Sequence, residues 1–286
     1  FDLIAWDASL KWQALLHDYC VKSFGDAAPP MERYLRRLID TQHGAGQEAG
    51  SYHAFPLIYD DAWVQAGQQD IADARRLAKT PEQQTRVQYI ADTLEALRLY
   101  LDYYRATLRF DFPAVKAAYD AMHAHWQQSY DRNTDSVANE TPAYLKRFLG
   151  GFVEQGVKYS AAPYRMLVPI PDELPTAFDP AVVGDRMQLA DPTISDARFV
   201  PTRTISSTWD AQGLSALRTG AVWYRVRFAL PADAKGQPIG LFLGGFEDEA
   251  RVWINGQLIG TSGQRFSAPA VYDLTDGIRY DGQNVL

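Results

Sequence analysis

The sequence predicts an α+β protein whose helices and strands lie in separate domains, an N-terminal α-helical bundle followed by an antiparallel β-sandwich. Apolar residues recur every three or four positions up to Ser160, and they alternate with polar residues in the predicted strands beyond it. The prolines of Pro163–Pro180 separate the two patterns, because proline cannot continue a helix. We therefore predict a helical domain over residues 1–160 and a β-domain over 161–286, in which 161–200 is an extended, proline-rich lead-in.

The composition is that of a chain with buried cores, and it excludes two classes of partner. Of the 286 residues, 47% are hydrophobic and 22% are charged, which is ordinary for globular domains. The formal net charge of -7 is spread without a basic cluster, so we expect no nucleic-acid partner. No apolar run approaches the roughly 20 residues that cross a bilayer, so we expect no membrane span.

The single cysteine and the chain ends carry two further expectations. Cys20 cannot form an internal disulfide and lies in a segment with helical apolar spacing, so we predict a buried, unreactive thiol. The chain begins at Phe1 without methionine and ends in an apolar segment at Leu286. We expect it to be a fragment of a longer protein.

Three helices are predicted in the first part of the chain. Asp7 is a candidate N-cap for the first helix, and Gly25 is placed to end it. A second helix follows Pro30, and a loop is predicted from Gly44 to Asp60. A third helix is predicted from Asp61 through Ala78.

The next helix has the strongest sequence signal. Thr80 and Gln83 form a capping box around Pro81, which takes the first helical position. Apolar residues then alternate steps of three and four, a spacing typical of a helix packed along its length. This stripe predicts a core, not a cofactor channel: Val87, Ile90, Leu94, Leu97, Leu101, Tyr104 and Leu108. Two further helices are predicted to begin at Asp111 and Thr141, each followed closely by proline.

The β-domain is predicted from period-two patterns. Over residues 221–228 one face is apolar and the other carries Trp223, Arg225 and Arg227, which predicts a strand with one buried face. Asn255-Gly256 separates two apolar runs, and this dipeptide is a strong signal for a tight hairpin because both residues accept positive φ.

Several segments in order resemble a known module. They are Ala221–Phe228 (AVWYRVRF), Gly244–Gly256 (GGFEDEARVWING), Tyr272–Thr275 (YDLT) and Gly282–Leu286 (GQNVL). Together they are similar to the galactose-binding-like, sugar-binding jelly roll of glycoside hydrolases of the β-galactosidase and β-glucuronidase type. The resemblance implies a β-sandwich with jelly-roll topology and carbohydrate as a partner.

The helical part has a second resemblance. The segment Tyr19–Tyr34, with FGDAA inside it, and the helix at Arg86-Val87 are similar to the region that follows the catalytic barrel in bacterial glycosidase-like proteins related to α-glucuronidases. This resemblance implies a catalytic barrel upstream in the same polypeptide and, by analogy, export to the periplasm or the cell exterior. The family's catalytic carboxylates belong to the barrel, so no residue of this chain is predicted to be catalytic.

The candidate carbohydrate-binding residues are Trp223, Trp253, Glu247 and Arg265. Both tryptophans fall on the polar-facing phase of their predicted strands, where indole rings would face the apolar side of a pyranose. Glu247 and Arg265 are the polar companions. The alternative interpretation is that the tryptophans pack against the helical domain or the barrel.

The acidic loop offers two further types of chemistry. Glu247, Asp248 and Glu249 are adjacent carboxylates, which more often form a solvated rim or a calcium site than an acid and base pair. Glu247 and Asp248 are therefore candidate ligands of a structural calcium ion, and no other cofactor is expected. Asn255 is interpreted as a turn former.

Three hypotheses of function remain from the sequence. The first is a non-catalytic accessory region of a glycoside hydrolase that binds or positions carbohydrate through the β-sandwich. The second is a structural or interaction module without sugar affinity, because a fold does not determine a function. The third is a self-contained glycosidase that uses the acidic loop at Glu247.

Overall fold

The computed structural model describes residues 11–46, 54–134, 143, 145–214, 220–246, 248–263 and 268–286. It divides the chain into two compact units. The first unit comprises residues 1–104 and 120–139, and the second comprises 105–119 and 140–286. The predicted fold class, helices followed by antiparallel β-structure, is confirmed.

Seven α-helices lie in the described residues. They are α1 (Trp12–Phe24), α2 (Ala28–Gly44), α3 (Phe55–Ile58), α4 (Asp61–Leu77), α5 (Pro81–Leu108), α6 (Phe112–Arg132) and α7 (Gly151–Ser160). A 3-10 turn, Gly25–Ala27, joins α1 to α2, and a π-helical turn, Lys146–Gly150, precedes α7. Two predicted caps, Asp7 and Thr141, lie outside the described residues.

The capping box of α5 is confirmed. The backbone N–H of Gln83 donates to Thr80 Oγ1 over 3.3 Å, and the N–H of Thr80 donates to Gln83 Oε1 over 3.4 Å. The apolar stripe that follows enters the core of the first unit, where Val87, Leu94 and Leu101 are almost completely buried. The stripe is therefore part of a core, as predicted.

The predicted loop from Gly44 to Asp60 is wrong at its end, where α3 forms. Pro56 occupies the first turn of α3, a position that needs no backbone N–H. Phe55 and Ile58 pack against the helical core. A helix this short has little stability of its own, so tertiary packing holds it in place.

Nine strands form four small antiparallel sheets in the described part of the second unit. They are β1 (Glu173–Asp179), β2 (Val200–Arg203), β3 (Ala221–Tyr224), β4 (Arg227–Ala229), β5 (Gly240–Leu243), β6 (Arg251–Ile254), β7 (Gln257–Thr261), β8 (Ala270–Asp273) and β9 (Gln283–Val285). One sheet has the order β2-β1-β3, and the others are the pairs β4-β9, β5-β8 and β6-β7.

The central strand of the three-stranded sheet, β1, lies in the segment predicted to be an extended lead-in. Its Pro175 stands opposite Pro201 of β2, so neither strand needs a donor from the other at that point. On the other side of β1, the N–H of Arg225 donates to the carbonyl oxygen of Pro175 over 2.9 Å. The sequence does not predict this strand, because a proline within a segment argues against a central strand.

The predicted single strand over residues 221–228 is wrong, because the chain changes sheets near Arg225. β3 pairs with β1, whereas β4 pairs with β9. Arg225, predicted to face solvent, is only 3% exposed, and Tyr224, on the predicted buried phase, is 39% exposed. Arg225 is buried because its guanidinium has acceptors in the carbonyl oxygens of Leu189, Asp191 and Ile194 and the carboxylate of Asp196.

The Asn255-Gly256 hairpin is confirmed. It joins β6 to β7, with φ of 53° at Asn255 and 87° at Gly256. β6 supplies Val252 and Ile254 to the core of the β-region, where Ile254 is fully buried.

Aromatic side chains join helices to strand β5 within the second unit. The ring of Phe112 lies 5.5 Å from that of Phe152 and 6.1 Å from that of Phe242, and the last two rings stack at 6.0 Å. Gly156 of α7 makes room for this cluster, since a Cβ there would lie 2.0 Å from Phe112 Cε1. The start of α6, α7 and β5 thus share one aromatic contact.

Cys20 is fully buried, and burial raises the pKa of its thiol to about 11.

In the part of the chain that the structure describes, every helix is too short or too polar to cross a bilayer.

Candidate functional site

The two tryptophans predicted to bind sugar lie against each other. Trp223 on β3 and Trp253 on β6 have ring centroids 4.8 Å apart, with planes inclined by 32°. Their strands belong to different sheets, and both residues are half-buried. The pair therefore joins two sheets, and neither residue is completely buried.

A turn after β1 holds Trp223 in place. The carboxylate of Asp179 accepts the backbone N–H of Val183 over 2.9 Å and that of Gly184 over 2.6 Å. It also accepts the indole N–H of Trp223 over 3.3 Å. The N–H of Val183, followed by those of Gly184 and Trp223, holds the pKa of Asp179 below its usual value. Asp179 is thus a structural acceptor that fixes the indole, and its carboxylate is not available as a general acid.

Gly184 is required at this point by close packing. A Cβ on Gly184 would lie 2.2 Å from Trp223 Nε1 and 2.4 Å from its Cε2. The indole therefore rests directly on the backbone of the turn. No signal in the sequence connects Gly184 with Trp223.

Glu247 and Arg265, the polar companions predicted for the tryptophans, lie outside the described residues. Asp248 is described and adopts a positive φ of 58°. Glu249 Oε1 accepts a hydrogen bond from Arg251 Nε over 2.9 Å, and both side chains are exposed. Glu249 thus forms a solvated ion pair.

The described residues contain no group of three or more His, Cys, Asp or Glu side chains placed to hold a metal ion. The calcium site predicted at Glu247 and Asp248 includes a residue outside the described part of the chain. The candidate site therefore consists of the two tryptophans and the turn that supports Trp223.

A second polar cluster supports the loop between β1 and β2. Arg225 and Arg227 both bind the Asp196 carboxylate, at 3.1 Å and 2.8 Å from their Nε atoms. The Arg227 guanidinium, with that of Arg225, holds the pKa of Asp196 below its usual value. Sequence analysis missed this cluster because its partners lie about thirty positions apart along the chain.

Residues 185–286 match the family model described as the β-galactosidase second all-beta domain. No curated protein sequence matches the chain.

Parts of solved β-glucuronidase structures are similar to part of this chain. A Lactobacillus rhamnosus β-glucuronidase is 25% identical over 40% of this chain and 19% of its own, with a TM-score of 0.35. A β-glucuronidase from Ruminococcus gnavus in complex with C6-substituted uronic isofagomine is 23% identical over 44% of this chain and 21% of its own, with a TM-score of 0.38. The match thus spans about a fifth of the length of these enzymes.

Proposed function

We propose that this chain is a non-catalytic accessory region of a glycoside hydrolase, in which the β-region binds or positions carbohydrate. The observation that carries the proposal is the match of residues 185–286 to the β-galactosidase second all-beta domain. The same chain provides an aromatic surface on which a sugar ring can lie, the pair Trp223–Trp253. The catalytic barrel is proposed to lie upstream in the same polypeptide.

The acidic loop supports an accessory role better than a catalytic one. A glycosidase needs two carboxyl groups that face one glycosidic bond, one of them held protonated. Glu249 instead directs its carboxylate at Arg251 in an exposed ion pair. This contact gives Glu249 a place on the charged surface and favours the accessory role over catalysis.

Trp253 is the better of the two tryptophans for contact with sugar. Trp223 is fixed on several sides, by the stacked ring of Trp253, by the Asp179 carboxylate and by the backbone of Gly184. Trp253 has one ring contact among the described residues, with Trp223, and a half-buried side chain. Since a pyranose binds through the face of one ring, Trp253 would provide the platform and Trp223 would orient it.

A structural module without sugar affinity is the second candidate, and one observation favours it. The ring contact between Trp223 and Trp253 joins β3 to β6, which belong to different sheets. An aromatic pair of this kind stabilises a fold by about 0.5–1.5 kcal/mol beyond the area it buries, so it needs no ligand to account for it.

Calorimetric titration of the chain with neutral and acidic monosaccharides and plant-type oligosaccharides separates the two candidates. Trp253→Ala is the test variant, and Trp209→Ala is the matched control, because Trp209 is another half-buried tryptophan of the β-region, packed on Phe178 at 5.7 Å. We expect the wild type and Trp209→Ala to bind, and Trp253→Ala to bind at least about tenfold more weakly. A wild-type chain that binds none of these sugars would favour the structural module.

The self-contained glycosidase is tested in the same samples. Aryl-glycoside turnover by the wild-type chain, lost in Glu247→Gln, would replace the accessory role with catalysis. The coding sequence upstream of Phe1 tests the proposed barrel, and a neighbouring domain of another fold would remove that part of the proposal.

A further inference from the structure

Asn255 is the single asparagine of the sequence that precedes a glycine. Glycine has no Cβ to shield its backbone nitrogen, so that nitrogen can approach the side chain of the preceding residue. In an Asn-Gly pair, the glycine nitrogen can attack Cγ of the asparagine and expel ammonia. Asn255-Gly256 is therefore a candidate for deamidation, a modification that its position in a hairpin turn does not require.

The folded chain holds both ends of the Asn255 side-chain amide. Nδ2 donates to the Gly277 carbonyl oxygen and to Asn284 Oδ1, each over 2.8 Å. Oδ1 accepts the N–H of Val285 over 3.0 Å, and the Asn255 N–H donates to the Val285 carbonyl oxygen over 2.8 Å. Three of these four bonds are made with Asn284 and Val285 of β9. Strand β9 thus fixes the amide that would react.

Deamidation requires these contacts to break. The Gly256 nitrogen forms a bond to Asn255 Cγ, the Cγ–Nδ2 bond breaks, and the proton of the Gly256 N–H leaves with Nδ2 as ammonia. Water then opens the cyclic imide at either carbonyl, which gives aspartate or isoaspartate. Because Cγ becomes tetrahedral and Nδ2 departs, the amide loses the planar arrangement that binds Gly277, Asn284 and Val285. The reaction therefore needs a local opening between the turn and β9.

The product cannot restore the network. A carboxylate only accepts hydrogen bonds, and at neutral pH it is ionised. In the place of Nδ2 it would set an oxygen against the Gly277 carbonyl oxygen and Asn284 Oδ1. Asn284 cannot compensate by turning its amide over, because Oδ1 accepts the Arg279 N–H over 2.8 Å and Nδ2 donates to the Arg279 carbonyl oxygen over 2.9 Å. Since Asn284 is fully buried, water does not screen the repulsion.

We propose that Asn255-Gly256 is a one-way modification site controlled by β9. While β9 is paired with the turn, the Asn255 amide is protected. When β9 separates, the turn deamidates, and the aspartate or isoaspartate product keeps β9 from returning. The site thereby converts a transient opening of the second unit into a permanent loss of stability. It does not depend on carbohydrate binding.

Mass spectrometry of the peptide that contains Asn255 measures the reaction in the wild-type chain, kept in mildly alkaline buffer with and without urea. We expect the folded chain to deamidate at least about tenfold more slowly than the unfolded chain. At urea concentrations below the unfolding transition, the rate should follow hydrogen exchange of the Val285 N–H, because one opening exposes both groups. Asn284, which precedes a β-branched valine, is the internal reference and should react far more slowly in urea.

Two destabilised variants separate local opening from unfolding of the whole unit. Asn284→Ala removes one acceptor of Asn255 Nδ2. Gly156→Ala is the control, because its Cβ would overpack Phe112 in the same unit, at a contact that includes no residue of the turn. At urea concentrations that give both variants the same free energy of unfolding, Asn284→Ala should deamidate at least about fivefold faster.

Asn255→Asp imitates the product, and Asn255→Gly loses the same amide without adding a charge. We expect Asn255→Asp to unfold at a lower urea concentration than Asn255→Gly, because only the carboxylate repels Asn284 Oδ1 and the Gly277 carbonyl oxygen. Equal deamidation rates in folded and unfolded wild type, or in Asn284→Ala and Gly156→Ala, would overturn control by β9. An Asn255→Asp chain as stable as Asn255→Gly would overturn the one-way step.

Discussion

The side chains of Asn255 and Asn284 bind each other, with Asn255 Nδ2 donating to Asn284 Oδ1 over 2.8 Å. Asn255 Nδ2 also donates to the Gly277 carbonyl oxygen, and its Oδ1 accepts the N–H of Val285 over 3.0 Å. Asn284 is fully buried, and its side-chain amide binds the Arg279 backbone: Oδ1 accepts the Arg279 N–H over 2.8 Å, and Nδ2 donates to the Arg279 carbonyl oxygen over 2.9 Å. The Asn255-Gly256 hairpin turn and strand β9 therefore form one polar network.

This network predicts that Asn255 does more than form a turn. Asn255→Gly keeps the positive φ of 53° without strain but loses the side-chain hydrogen bonds, so we expect it to lower the free energy of unfolding by about 1–3 kcal/mol. Asn255→Ala should cost more, because alanine also resists positive φ. Urea denaturation of both variants measures the difference. A glycine variant as stable as the wild type would show that backbone conformation alone accounts for Asn255.

The features that sequence analysis predicted correctly depend on residues close together in the chain. The Thr80–Gln83 capping box spans four residues, and the Asn255-Gly256 turn spans two. Both are determined by the hydrogen-bonding and φ preferences of the residues themselves. Tertiary context adds to such features and does not have to create them.

The features that the sequence does not predict depend on partners that lie far apart along the chain. Arg225 is buried only because the loop from Leu189 to Asp196 presents carbonyl oxygens to it, and no local pattern encodes that loop's path. The sequence places Trp223 and Trp253 on the outward phase of two regular strands, and their rings contact each other in the structure. The strand that carries Trp223 is shorter than predicted, because the chain changes sheets near Arg225.

Gly184→Ala should disrupt the support of Trp223. Because a Cβ at this position would lie 2.2 Å from the indole nitrogen, the ring or the turn must move. We expect a loss of about 1–3 kcal/mol in the free energy of unfolding and a shift in tryptophan fluorescence. Gly282→Ala is the matched control, since nothing lies within 4 Å of its added Cβ. Equal stability of the two variants would contradict the close contact between Gly184 and Trp223.

Asp196 should make the stability of the chain depend on pH in the acid range. Hydrogen bonds from Arg227, and then from Arg225, lower the pKa of its carboxyl in the folded state. A group with a lowered pKa binds fewer protons in the folded than in the unfolded chain, so its contribution is complete above its unfolded pKa of about 3.9 and is lost as pH falls through the folded pKa. The difference in unfolding free energy between wild type and Asp196→Asn should therefore be largest near neutral pH and shrink below about pH 4.

Asp281→Asn is the control for this experiment. Asp281 pairs with Lys235 at 2.6 Å, but both side chains are largely exposed, so we expect a loss of less than about 1 kcal/mol at neutral pH. Asp196→Asn should lose about 1–3 kcal/mol there, because it weakens the hydrogen bonding of the buried Arg225. A difference for Asp196→Asn that grows as pH falls would contradict the sign of the pKa shift.

Cys20 should react very slowly with thiol reagents in the folded chain. Burial raises its pKa to about 11, and the nearby Glu32 carboxylate acts in the same direction. At pH 8 only about one thousandth of the thiol is therefore ionised, and the thiolate is the nucleophile. The reaction with a disulfide reagent, followed by absorbance, should accelerate by at least about a hundredfold when urea unfolds the chain. Cys20 is the only thiol present, so the signal has one source. A native rate equal to the unfolded rate would mean that the helical core around Cys20 opens readily, and it would contradict the burial on which the shift depends.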